Sequence, residues 1–189
     1  MPLKPVEPPE AVRRAAAAQI HQLATPHGIF PALRDVVREE LALVAPHQMY
    51  TLDADAVVSG GLGGAEPAGW RFLVTDRDRV VASAELAGET GEAPLLNGGP
   101  YVASTAEAID ELERLPQIAD GDYELRILKV PALYVVAAWL AGERPTLVPL
   151  APAPSFLEAG RPYSEAEFMA ALQGPAQDVV AITDDQLGA

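Results

Sequence analysis

The stretch YELRILKVPALYVVAAWLAG, residues 123–142, is the most apolar part of the chain. Its uninterrupted apolar run, Val130 to Ala141, is shorter than the roughly 20 residues that a membrane-spanning helix needs. Charges also flank it, at Lys129 and Glu143. It is therefore read as core, and Pro131 divides it. Before the proline, Tyr123, Leu125 and Ile127 alternate with Glu124 and Arg126, the pattern of a half-buried strand. After it, PALYVVAAWLA predicts a three-turn helix over 131–141, with Pro131 in the first turn and Gly142 and Pro145 as stop signals. Leu133, Val136, Ala137 and Leu140 form one stripe of this helix, and Tyr134, Val135, Ala138 and Trp139 cover the rest. A helix without a polar face is buried on all sides. It is either the central helix of the domain or the meeting surface of two chains. The pair Val135–Val136 also suits a strand, which keeps a β reading open.

Outward from this segment, the sequence predicts one α+β domain over 10–180, preceded by a loose Pro-rich tail (1–9) and followed by a frayed tail (181–189). Helices are expected at 9–24 and 31–44, pairing as an N-terminal helical hairpin. MYTLDADAVVSGG reads as a strand, and 60–69 and 87–100 as glycine-rich mobile loops. WRFLVTDRDRVVASAEL reads as a hairpin. Trp70, Phe72 and Val74 line one face of its first arm, and Val80, Ala82, Ala84 and Leu86 one face of its second. STAEAIDELERL predicts a helix with a capping box at Ser104 and Glu107. YSEAEFMAALQG predicts another, with Ser164 and Glu167 as the box and Gly174 as its stop. TLVPLAPAP is a short strand that passes into polyproline-like backbone. Helices, then strands, then mixed elements suit an antiparallel or mixed sheet with helices packed mainly on one face.

Composition narrows the function. The 189 residues carry 13 basic and 27 acidic side chains, a formal charge of −14. Such a surface repels phosphate backbones and anionic lipid, so neither nucleic acid nor membrane is an expected partner. A basic protein partner is the alternative to simple solubility. The chain has no cysteine, which excludes thiolate chemistry and disulfides. Two lysines among the 13 basic residues, with abundant Ala, Gly and Pro, point to a GC-rich bacterial coding sequence. The N-terminal segment lacks the apolar core of a signal peptide, so a cytoplasmic location is expected.

Motifs with specific chemistry are missing. His21, His27 and His47 have no metal-ligand spacing. The glycines of 59–69 lack the Lys-Ser/Thr of a phosphate loop and the Gly-x-Gly-x-x-Gly of a dinucleotide fold. No Gly-x-Ser-x-Gly occurs, so no catalytic residue, metal site or cofactor is assigned. Asp53 and Asp55 alternate with Ala, and on a strand they share a face. There they could hold a ligand beside aromatics such as Tyr123 and Tyr134.

Two functional readings follow. The first is a non-catalytic protein-interaction module: an adaptor, accessory subunit or inhibitor-like partner. It uses an interface of Tyr134, Trp139, Leu150 and Phe156, which would also serve a homodimer. The second is a small-molecule-binding protein, or a carboxylate-dependent enzyme, using Asp53 and Asp55 near an aromatic pocket.

Overall fold

The computed structural model describes residues 3–4, 6–25, 30–34, 36–88, 92–116 and 122–187. The stretch 123–142 is a hairpin. Strand β6 (Tyr123–Val130) is followed by a 3₁₀ turn (Pro131–Leu133), and Tyr134 reverses the chain into β7 (Val135–Ala141). The expected helix at 131–141 is thus corrected to a turn and a strand, paired antiparallel from Val130↔Val135 to Glu124↔Ala141. The physical reason lies in what covers the two faces of β7. Val135, Ala137 and Trp139 pack into a cluster with Val57, Phe168 and Leu172. Ala138 and Leu140 pack into another with Ala108 and Leu112. A strand buried on both faces reads as a continuous apolar run, and the alternation that marks a half-buried strand is lost.

The α+β class holds, with a mixed sheet. Among the described residues the strand order is β5-β4-β3-β2-β6-β7-β8-β9, with β1 beside β6. The remaining strands are β1 (Leu3–Lys4), β2 (Leu41–Thr51), β3 (Glu66–Asp76), β4 (Arg79–Ala87), β5 (Glu92–Asn97), β8 (Thr146–Pro149) and β9 (Tyr163–Ser164). Two antiparallel meanders, β2–β5 and β6–β9, meet along one parallel seam, where Gln48–Thr51 of β2 pair with Arg126–Lys129 of β6. Leu3 and Lys4 continue that edge of β6 by pairing with Tyr123 and Glu124, so part of the expected N-terminal tail is built into the sheet.

Four helices cover this sheet among the described residues: α1 (Glu10–Leu23), α2 (Ala54–Ser59), α3 (Pro100–Glu113) and α4 (Glu165–Leu187). α1 packs through Val12, Ala16 and Ile20 on β3 and β4. α2 and α4 cover one face of β6 and β7, and α3 the opposite face. Helices therefore lie on both sides of the sheet, which departs from the one-sided covering expected. The second member of the expected N-terminal hairpin is also corrected. Residues 31–33 and 38–40 are 3₁₀ turns, and β2 begins at Leu41. The spacing of Leu33, Val37, Leu41 and Val44 mimicked a helical stripe, but Leu41 to Val44 pair in the ladder with Asp76 to Leu73.

The hairpin of β3 and β4 follows the alternation in its sequence. Trp70, Phe72 and Val74 share a buried face with Ala82, Ala84 and Leu86. A bulge between the Val74↔Ala82 and Thr75↔Val80 pairs moves Val80 out of that row. Both expected loops contain regular secondary structure. The first contains a 3₁₀ turn (Leu62–Gly64) and the start of β3, and the second contains β5. α3 starts at Pro100, one turn before the expected box, and Ser104 Oγ donates instead to the Ala151 carbonyl at 3.0 Å. α4 runs through Gly174 and Pro175 to Leu187, past the expected stop and into the expected frayed tail. Burial of Ala176 beyond those residues holds it on the sheet.

The second capping box does form. Ser164 Oγ accepts from the Glu167 N–H at 3.3 Å, and Glu167 Oε2 accepts from the Ser164 N–H at 3.0 Å. The hydrogen bonds from Ser164 hold the Glu167 carboxyl below its ordinary range. Ser164→Ala is expected to lower Tm by roughly 3 °C in a thermal melt, with no change in secondary structure.

Candidate functional site

Two strands place the central charge of the site. On β3, Arg71 lies between Trp70 and Phe72, whose side chains face α1. Strand alternation sends Arg71 to the other side, under α3. Its register partner on β4 is Glu85, and Arg71 Nε stands 3.6 Å from Glu85 Oε1. The other carboxylate oxygen of Glu85 accepts from Lys129 Nζ at 2.6 Å. Lys129 is on β6, with β2 and β3 between it and β4. Neighbouring strands are about 4.8 Å apart, so a bond across two intervening strands marks the concave side of the sheet.

A cavity of about 520 Å³ opens on that concave side. Its charged lining is Arg71, Glu85 and Lys129. Apolar walls come from Leu95 on β5, Val102 on α3, and Pro131 and Val136 of the β6–β7 hairpin. Asn97, Tyr101 and Tyr134 add polar edges. Two cations against one carboxylate leave a positive floor in a protein with a formal charge of −14.

Arg71 is 2 % exposed. A guanidinium has five N–H donors, and among the described residues its hydrogen bond is a long one, from Nη2 to the Tyr101 carbonyl at 3.4 Å. Its Nε makes none. Burial pushes its pKa down, and the charge of Glu85 works against that shift. Behind it, buried His47 pairs with Arg71 across β2 and β3. His47 Nδ1 lies 3.4 Å from the Arg71 carbonyl, an acceptor, so Nδ1 carries the proton there. His47 Nε2 and Ser83 Oγ are also buried without a hydrogen-bond partner among the described residues. Burial holds the His47 pKa at about 4, with the backbone bond to Arg71 opposing and the Arg71 charge adding to the shift.

Tyr134 stands at the mouth of the cavity. It is 84 % exposed, with φ 54° and ψ 33°. A bulky side chain at positive φ is a backbone outlier, and such strain collects at ligand clamps and active sites.

The residues singled out from the sequence lie apart. Asp53 precedes α2 and Asp55 is in its first turn. The strand reading of that segment is corrected, because β2 ends at Thr51 and 54–59 are helical. The two aspartates therefore share no strand face, and both are exposed. Tyr123 is buried at the start of β6, at the far end of the strand from Tyr134. Trp139 and Leu150 are 7 % and 1 % exposed and belong to the core, while Phe156 is half-buried against it. His21 is exposed near the end of α1, and His27 lies outside the described residues. Among the described residues no group of three His, Asp or Glu side chains is placed to hold a metal ion, and no helix is long and apolar enough to cross a membrane.

Reasoning from sequence missed Arg71, Glu85, Lys129 and Tyr101. Arg71 and Glu85 fall on the polar phase of their strands and read as solvated. The available signal was that both arms of one hairpin carry a charge in register, on a face that a later helix would have to cover. No family model matches the chain, and no curated protein or solved structure was found to be similar to it.

Proposed function

We propose that this domain binds a small anionic molecule, without transforming it, in the cavity floored by Arg71 and Lys129. The observation that carries this reading is the buried Arg71 guanidinium, which lines a cavity and has most of its donors unspent among the described residues. Burying a cation is costly unless it is paired and hydrogen-bonded, and Glu85 is shared between two cations. An anion seated between Arg71 and Lys129 would complete their pairing. This is the small-molecule-binding alternative of the sequence, moved from Asp53 and Asp55 to a different set of residues.

Titration calorimetry with sodium butyrate and with inorganic phosphate tests it. At least one of these anions is expected to bind the wild type and to lose most of its affinity with Lys129→Met. That variant leaves the Arg71–Glu85 pair in place and removes a side chain that is partly exposed. Binding by none of the anions tested, longer carboxylates included, would overturn the reading.

A second reading, the protein-interaction module, is favoured by the outer edge of β5. This strand pairs only with β4 among the described residues, and its Leu95 is 56 % exposed. An open edge accepts an extended peptide as a further strand, and the acidic balance favours a basic one. Self-association of two such edges is the homodimer version of this reading. Sedimentation velocity across a wide concentration range tests it, and a monomer throughout would remove it.

A further inference from the structure

Resting on the anion-binding reading above, we infer that the ligand is a monocarboxylate with an apolar tail, and that Tyr134 closes over that tail.

The charge of the floor sets the head group. Arg71 and Lys129 face Glu85, so the lining has a surplus of one positive charge. One carboxylate neutralises it. A phosphate dianion would bring two charges, the second of them uncompensated and close to Glu85, where like charges repel. A planar carboxylate also matches the edge of a guanidinium, which offers parallel N–H donors to two oxygens.

The walls set the tail. Beyond the charged floor, Leu95, Val102, Pro131 and Val136 line the cavity, and none of them offers a side-chain hydrogen bond. Laid against these four residues, a polar or sugar-like tail would lose its water without replacement. An apolar chain would gain from the same surfaces, each buried methylene adding roughly three- to fourfold in affinity. The volume, about 520 Å³, lies within the range of small-molecule sites.

Tyr134 is the third element. Its ring is exposed while its neighbour Val135 is buried, and its backbone sits where glycine is normally found. Glycine at this position would relieve strain. A tyrosine held here against its own backbone preference has an apolar ring and a hydroxyl at the rim of an apolar channel, suited to cover a chain lying in it.

The test compares butyrate, octanoate, octylamine, octanol and inorganic phosphate by titration calorimetry on the whole chain, with the Lys129→Met and Tyr134→Gly variants. Octanoate is expected to bind on the order of 100-fold tighter than butyrate from its four added methylenes. Octylamine should not bind, and octanol should bind weakly. Tyr134→Gly should melt at or above the wild-type temperature yet bind octanoate several-fold more weakly, a combination that a purely structural role would not produce. Phosphate binding with octanoate no better than butyrate would overturn the tail assignment and leave the anion site standing. Octanol binding as tightly as octanoate would overturn the carboxylate assignment. Binding by no anion at all would remove both this inference and the reading beneath it. Unchanged octanoate affinity in Tyr134→Gly would remove the closing role of Tyr134.

Discussion

Trp139→Ala is expected to destabilise the protein by about 3–5 kcal/mol, the cost of emptying a buried indole site. The ring packs edge-on to Tyr50 at 5.3 Å between centroids, and the Arg126 guanidinium lies 4.9 Å from its centre. The same guanidinium is 4.8 Å from the Tyr50 ring and is fixed by Glu124, with Nε to Oε1 at 2.8 Å. Removing the indole therefore opens a cavity and takes away one of the two rings that cover Arg126. In a chain of this size the loss corresponds to a fall in Tm of roughly 10 °C. The fall should not depend on protein concentration, because Trp139 is covered by its own chain. Tyr134→Ala, five residues earlier, should change stability by about 0.5 kcal/mol or less, since its ring is exposed. Thermal melts at several protein concentrations check both. A Trp139→Ala deficit that vanishes at high concentration would mean that a second copy covers this residue.

The second large effect is acid sensitivity centred on His47. Its folded-state pKa is about 4, against an ordinary value of 6.5. A lowered value means that the unfolded chain takes up the proton first. Stability is therefore complete above pH 6.5 and is lost as pH falls toward 4. Over that window the loss from this one group is roughly 3 kcal/mol. Urea titrations at pH 7, 5.5 and 4 on the wild type and on His47→Asn measure it, the asparagine amide standing in for the Nδ1 donor. The variant starts from lower stability, but its decline between pH 7 and pH 4 should be smaller by about that amount. Parallel declines would assign the acid sensitivity to other groups.

The legible and illegible parts of the fold divide by how each face is covered. Tyr123, Leu125 and Ile127 alternate with Glu124 and Arg126, and the β3–β4 hairpin alternates likewise, so both were readable as strands. Ser164 and Glu167 act within one turn of chain, and that cap was readable as well. The strand at 135–141 was not, because α4 on one side and α3 on the other ask for apolar residues at every position. Gly174 and Pro175 are local stop signals that the burial of Ala176 overrides. The cavity was least legible of all. Arg71, Glu85, Lys129 and Tyr101 come from three strands and a helix, and no local spacing relates them.

The parallel seam between β2 and β6 bears on how the chain reaches this state. Each meander is made of contacts between neighbours in sequence, which a chain finds quickly. The seam instead joins residues 48–51 to residues 126–129, and closing so long a loop is the slow, entropically costly part of the search. The first meander holds Arg71 and Glu85, and the second holds Lys129. The cavity floor is thus assembled only when the two halves dock. The proposed anion, bridging Arg71 and Lys129, would then act as a clasp across the junction, slowing the two halves from parting.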